Sequence, residues 1–260
     1  HWLELRNSNF NLTNALKNST LILLLIFFYV PTFGQSIYWE DSATGAKVYF
    51  KIEPGEYENH KHRTSKAFEV VETSQIYHSA IITVFKKAFS KYPPSLIAEN
   101  VEKIYVYDQF YKENHTQGTY IGRHGFFFTP IYIDQNLDEF EFERLIHHEI
   151  SHRLHIFNMK AFDFKAWKSN NELKYGSIKS YDRRFKPDLY PKGFLHEYAV
   201  LNKLEDFASF AEYIFLDKTE FWEAINEHQE LRNKFNLTCK FYQALDPIFN
   251  SAFFLEMNNK

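Results

Sequence analysis

The chain has 260 residues, is 45% hydrophobic and 19% aromatic, and carries a formal net charge of −3. That length buries a substantial core in one or two domains, and the near-neutral charge without a basic block argues against a nucleic-acid partner. The single cysteine, Cys239, excludes an intrachain disulfide and a cysteine-rich metal site, and reads as a small buried residue.

Residues 1–20 are polar and include Arg6 and Lys17. Residues 21–30 (LILLLIFFYV) are an unbroken apolar run, followed by Pro31 and by small residues at Thr32 and Gly34. A basic start, a short apolar stretch and a small-x-small exit predict a secretory signal peptide in residues 1–34, cleaved after Gly34. The run falls short of the roughly 20 residues that span a bilayer as a helix, so no stable membrane anchor is expected. No cysteine stands at its exit to carry a lipid. The sequons at Asn11, Asn18, Asn114 and Asn236 matter only in a host that glycosylates.

Residues 35–260 are expected to form one domain. After a turn around Thr44-Gly45, residues 48–52 predict a short strand, and residues 53–65, with His60 and His62, a polar loop. Ile76, Ile81, Val84, Phe85 and Phe89 recur at helical spacing, predicting a helix over 66–91 closed by Pro93-Pro94. Residues 101–110 alternate as a strand. Residues 120–134 predict a second strand region broken at Pro130, which suits a sheet edge.

Asn136 to Glu139 reads as a capping box, and Phe142, Ile146, Ile150 and Leu154 then form an apolar stripe at intervals of four. On that helix His148 and His152 fall on the face opposite the stripe, one turn apart. With Glu149 they complete the pattern H-E-x-x-H. Two neutral imidazoles on one helical face can converge on a zinc ion, and a catalytic zinc takes three protein ligands and keeps one position for water. Glu149, next to the first ligand, is placed to take a proton from that water as it attacks a carbonyl. His147 reads as a neutral neighbour, since a fourth protein ligand would close the open position.

Residues 158–199 form a long connection punctuated by Gly176, Pro187, Pro191 and Gly193. In it Trp167 and Tyr175 are best read as anchors to the core. A helix then opens at Asn202, with Phe207, Phe210, Ala211 and Ile214 on its apolar face and Glu205, Ser209 and Glu212 on the other. Periodicity offers both Glu205 and Glu212 as a third ligand and does not choose between them. Residues 220–235 and 238–245 predict two more amphipathic helices.

The segments Gly193-Phe194-Leu195-His196-Glu197-Tyr198-Ala199, Asn202 and Glu205-Asp206-Phe207-Ala208 supply a further signal. Together with H-E-x-x-H, they resemble the corresponding parts of secreted bacterial zinc metallopeptidases of the gluzincin kind. In that family H-E-x-x-H is followed, about 50 residues on, by a helix bearing E-D-F-A. The resemblance covers two blocks, about 25 residues. It implies that Glu205 is the third zinc ligand. It also extends to the lethal-factor-type peptidases, in which a tyrosine seven residues before the ligand glutamate helps to stabilise the tetrahedral intermediate, a position held here by Tyr198. Ser209 departs from the acidic residue the family pattern carries after E-D-F-A. Asp206 is the candidate partner for the outer nitrogen of a ligand histidine, and His196 is expected to be a neutral neighbour.

The expectation is an α/β (α+β) zincin-like domain: an H-E-x-x-H helix, a small sheet with an edge strand, and a helical C-terminal part. The function expected is a secreted zinc-dependent peptidase that holds one catalytic zinc through His148, His152 and Glu205. Glu149 and Tyr198 act on a peptide or protein substrate. The alternatives are an inactive binding module of the same fold and a zinc hydrolase of a non-peptide amide.

Overall fold

The computed structural model describes residues 36–51, 68–112, 115–117, 119–122 and 125–257. The expected signal peptide, the loop histidines His60 and His62 and the sequons at Asn11, Asn18 and Asn114 lie outside the described residues.

Strand β4 (Lys103–Lys112) is the spine of the sheet. Its first half lies between β2 (Lys47–Lys51) and β7 (Gly125–Phe128), parallel to both. Its second half pairs antiparallel with β3 (Phe68–Glu72) and with β5 (His115–Gln117). Strand β1 (Ile37–Glu40) closes one side against β2. Strand β6 (Thr119–Gly122) closes the other against β7, and among the described residues it is the edge of the sheet there. The edge strand expected within residues 120–134 is therefore the short β6. The rest of that stretch forms β7 and a two-stranded hairpin, β8 (Tyr132–Ile133) with β9 (Asn136–Leu137).

Period-two alternation sorts β4 between two faces. Ile104 and Val106 join the main core, with Val48, Phe50, Phe126 and Phe128 beside them. Tyr105 turns to the opposite face and stacks on Tyr49. Gly125 is required on that face. A Cβ there would meet the Tyr105 ring at 2.8 Å and the Lys103 carbonyl at 2.9 Å.

Helix α1 (His78–Phe89) packs on the core face of the sheet through Ile81, Val84 and Phe85. It is shorter than the helix expected over 66–91, because residues 68–72 pair with β4 as a strand and Gln75–Tyr77 is a 3-10 turn. Helix α2 (Pro94–Asn100) starts at the proline expected only to end its predecessor, since proline at the first turn sacrifices no helical hydrogen bond.

The H-E-x-x-H helix is α3 (Glu139–Phe157). Its cap is Asp138, whose carboxylate accepts from the Glu141 amide at 3.1 Å, not Asn136. Asn136 is held in the hairpin, whose turn residues Asp134 and Gln135 both adopt positive φ, 49° and 65°. The apolar stripe Phe142, Ile146, Ile150 and Leu154 is fully buried, with Phe142 edge-on to Phe85 and Phe128. The opposite face is also buried, because α5 (Lys203–Ile214) packs along it. The helix is thus central and not half-exposed, and its buried charges are met by partners. Glu143 pairs with Lys87 at 2.8 Å and Lys91 at 2.6 Å.

The long connection is built from short turns of helix: Met159–Ala161, α4 (Phe164–Lys168), Pro187–Lys192 and Glu197–Val200. Trp167, fully buried, anchors it to Phe207 and Phe210 of α5. The C-terminal part is α6 (Thr219–Glu227), α7 (Gln229–Leu245) and α8 (Ser251–Met257). The break between α6 and α7 falls at His228, earlier than the periodicity suggested. Among the described residues no helix is long and apolar enough to cross a membrane.

Candidate metal centre

Three side chains from two helices meet where α3 crosses the start of α5. His148 and His152 lie one turn apart on α3. Glu205 sits in the first turn of α5, where the Asn202 side chain caps the helix by accepting from the amides of Leu204 and Glu205. A capping box would turn the Glu205 carboxylate back toward Asn202. Instead it faces the two imidazoles. His148 Nε2 is 3.1 Å from Glu205 Oε2 and 3.1 Å from His152 Nε2, and His152 Nε2 is 3.4 Å from the same carboxylate oxygen. Among the described residues this is the group of three or more metal-ligating side chains whose donor atoms lie within 4.8 Å of one another.

These distances test the group for zinc. With bonds of about 2.0–2.1 Å, the donor atoms of a tetrahedral zinc stand about 3.3–3.4 Å apart. The observed triangle, 3.1, 3.1 and 3.4 Å, is slightly contracted from that edge length. Two neutral nitrogens and one carboxylate oxygen are also a donor set that zinc accepts. The residues fit.

The outer nitrogen of His148 is fixed as well. Its Nδ1 lies 2.7 Å from Glu212 Oε2, while Glu212 Oε1 accepts from Arg144 Nη1 at 3.0 Å. Arg144 in turn donates from Nε to Glu141 at 2.8 Å. Burial would raise the pKa of Glu212. The Arg144 charge, followed by His148 and Arg183, outweighs it and holds the carboxyl down at about 2. Glu205 behaves alike: burial opposes ionisation, but the two histidines keep its carboxyl well below the usual range. Both carboxylates are therefore charged at neutral pH.

Glu149, buried and only 5% exposed, follows the first of the paired histidines on α3. Tyr198 reaches the site from the 3-10 turn Glu197–Val200, its ring 6.3 Å from that of His148. Burial raises the Tyr198 pKa. Arg183 works against the shift, and the nearby carboxylates of Glu205 and Glu149 add to it. The phenol stays protonated at neutral pH and available as a donor.

Asp206 is directed elsewhere. Its carboxylate accepts from Lys234 at 2.9 and 2.8 Å, Trp167 Nε1 at 2.8 Å and the Tyr175 hydroxyl at 2.7 Å. Next to Glu205 in sequence, it points about 100° around the helix and into the core beneath the long connection. The carboxylate that meets a ligand-type histidine is that of Glu212, the residue periodicity had offered as the alternative third ligand. Arg144 and Arg183 were not anticipated. Arg144 lies on a helix face that reads as solvated until α5 covers it, and Arg183 lies in a connection with no periodicity.

His147 and His196 both stand outside the triad. His147 Nδ1 meets the Tyr92 hydroxyl at 2.8 Å, and burial pushes its pKa down to about 4. His196 caps the turn that carries Tyr198 by accepting from the Ala199 amide at 3.3 Å.

No known protein family and no curated protein matches the sequence. The structure is similar to the crystal structure of a candidate zinc-binding metallo-peptidase from Bacteroides caccae. The TM-score is 0.53 and the sequence identity 17%, and the match covers 73% of this chain and 79% of that one. At that identity the likeness speaks for architecture alone. The described chain therefore has a zincin-like α/β fold, with His148, His152 and Glu205 grouped where a metal can be held.

Proposed function

We propose that the protein is a secreted zinc-dependent peptidase of the gluzincin kind, holding one catalytic zinc through His148, His152 and Glu205. The observation that carries this reading is the triangle of donor atoms at near-tetrahedral spacing, with Glu149 beside it on the same helix. Bound there, zinc would supply Lewis acidity, lowering the pKa of a water and polarising a substrate carbonyl.

The chain's own residues do the rest. Glu149 accepts a proton from the attacking water as the water oxygen bonds to the carbonyl carbon. It passes that proton to the amide nitrogen as the C–N bond breaks, so protons balance without a further acid. Tyr198 donates its O–H to the carbonyl oxygen as that oxygen gains charge. Glu212 fixes the orientation of His148. Strand β6 packs beside α3 with one edge unpaired among the described residues, and offers backbone groups to an extended peptide. Secretion rests on the apolar run of residues 21–30 and its small-x-small exit.

The test is zinc content of the purified protein together with hydrolysis of an unfolded protein substrate. One zinc per chain and hydrolysis stopped by a chelator support the reading. One zinc without hydrolysis favours the binding module, and hydrolysis confined to non-peptide amides favours the other hydrolase. No zinc after loading removes both hydrolase readings and favours the binding module.

A further inference from the structure

The Glu212 carboxylate is shared more widely than a histidine-orienting group requires. Beside His148 and Arg144, it faces the guanidinium of Arg183, whose Nη1 is 3.6 Å from the same Oε2 that His148 contacts. That Nη1 is also 3.5 Å from His148 Nδ1. Arg183 comes from the long connection. Its neighbours already tie the connection down. The Tyr198 amide donates to the Asp182 carbonyl at 3.0 Å, which already joins the connection to the 3-10 turn. Arg184 and Lys186 point outward and close on the Asp182 carboxylate at 2.7 and 3.2 Å. Arg183 turns the other way and sits over the Tyr198 ring, with Cζ 3.8 Å from its centroid. One carboxylate thus faces two guanidinium groups beside the histidine.

An imidazole becomes a stronger ligand when its outer N–H donates to a carboxylate, because the carboxylate draws the proton toward itself. A carboxylate already engaged by two arginines does this less. A fixed cation facing the ligand histidine also repels a dication. Resting on the zinc-peptidase reading, we propose that Arg183 is a positioning residue that acts on His148 through Glu212: held over the Tyr198 ring, its charge weakens His148 as a ligand and leaves the bound metal a stronger Lewis acid. A structural support would do the opposite. Its removal would loosen the site, and zinc would leave faster.

The experiment compares the full chain with Arg183→Gln and Arg183→Lys, each loaded with zinc, and follows release of the metal to a chromophoric chelator. Outer partners of ligand histidines shift metal affinity by about 10–100-fold, and Arg183 is one contributor to such a partner. Arg183→Gln is therefore expected to release zinc about three- to tenfold more slowly than the parent, by the same principle. Arg183→Lys, which keeps the charge, is expected to release it at about the parental rate. Unchanged or faster release from Arg183→Gln overturns the inference while leaving the zinc site standing. So does Arg183→Lys slowing as much as Arg183→Gln, since charge would then not be the cause. A parent chain that takes up no zinc overturns the peptidase reading and this inference together.

Discussion

Glu212 Oε2 lies 2.7 Å from His148 Nδ1, and both side chains are almost completely withdrawn from solvent. The carboxylate holds the imidazole in the orientation that aims Nε2 at Glu205 and His152, and Arg144 holds the carboxylate. Glu212→Ala is expected to lower zinc affinity by about 10–100-fold, measured by competition with a chelator of known strength. It also strands Arg144, 4% exposed, with Glu141 alone. Loss of one partner of a buried pair costs about 3–5 kcal/mol, read from the midpoint of urea unfolding. An unchanged zinc affinity would show that Glu212 does not orient His148.

Glu149→Gln separates chemistry from binding. The amide has nearly the same size and cannot accept the proton of the attacking water. Zinc content is expected to remain one per chain while kcat falls by at least about 10²–10⁴, the usual contribution of a positioned general base. Loss of zinc along with activity would mean that Glu149 supports the site instead of serving as its base.

What could be read from the sequence was local, and what could not was a matter of long-range cover. His148, Glu149 and His152 are set by spacing within one helix, so their shared face was legible before any fold was known. Glu205 and Glu212 share a face of α5 for the same reason. Deciding that Glu205 closes the triangle and Glu212 stands behind His148 needs the angle at which α5 crosses α3, and periodicity carries no such angle. Glu143 and Arg144 look like ordinary solvated residues. They are buried because other helices lie over them, so the polar side of α3 is covered instead of solvated. The helix expected over 66–91 failed for a related reason: residues 68–72 pair as a strand with β4, and that partner comes from more than 30 residues downstream. Asp206 was misjudged by direction alone, its neighbour Glu205 facing the site while it faces Lys234.

Three buried histidines set an acid limit on stability. Burial is the main cause that pushes His147 and His155 down to about 4 and His196 down to about 3. Each binds its proton more readily in the unfolded chain, where the pKa is about 6.5. Stability is therefore fully present above pH 6.5 and is lost as the pH falls toward 4. The slope from each group approaches about 1.4 kcal/mol per pH unit below its unfolded pKa. His148, whose pKa is raised by Glu205 and Glu212 against burial and Arg183, acts in the opposite sense and offsets part of the loss. Urea midpoints of the metal-free protein are expected to fall steadily from pH 6.5 to 4. A flat profile would mean that the three imidazoles are solvated.

Gly193 ends the 3-10 turn Pro187–Lys192 with φ of 85°, a left-handed conformation that costs glycine little and other residues more. A methyl group there would also run into the carbonyl oxygen of Asn170, a backbone atom that cannot swing aside. Gly193→Ala is expected to lower the thermal midpoint, with a stability loss of about 1–3 kcal/mol from the backbone conformation alone. A midpoint unchanged from the parent would show that the connection can shift as a unit.

Lys234 and Asp206 are the pair on which the long connection rests. The ammonium is completely buried, bonded to both oxygens of Asp206 and to the Gly193 carbonyl, and packed over the rings of Trp167 and Phe194. Burial lowers the Lys234 pKa and Asp206 opposes that shift. Lys234→Met removes the cation and leaves a buried carboxylate with only neutral donors, at a cost of about 3–5 kcal/mol. For a domain of this size that is a fall in the thermal midpoint of about 10 °C. Adding Asp206→Asn removes the stranded charge, so the double variant is expected to be more stable than Lys234→Met alone. None of this touches His148, His152 or Glu205, and below its melting temperature Lys234→Met should still bind one zinc. Zinc lost while the melting temperature holds would place Lys234 with the metal centre and not with the scaffold beneath it.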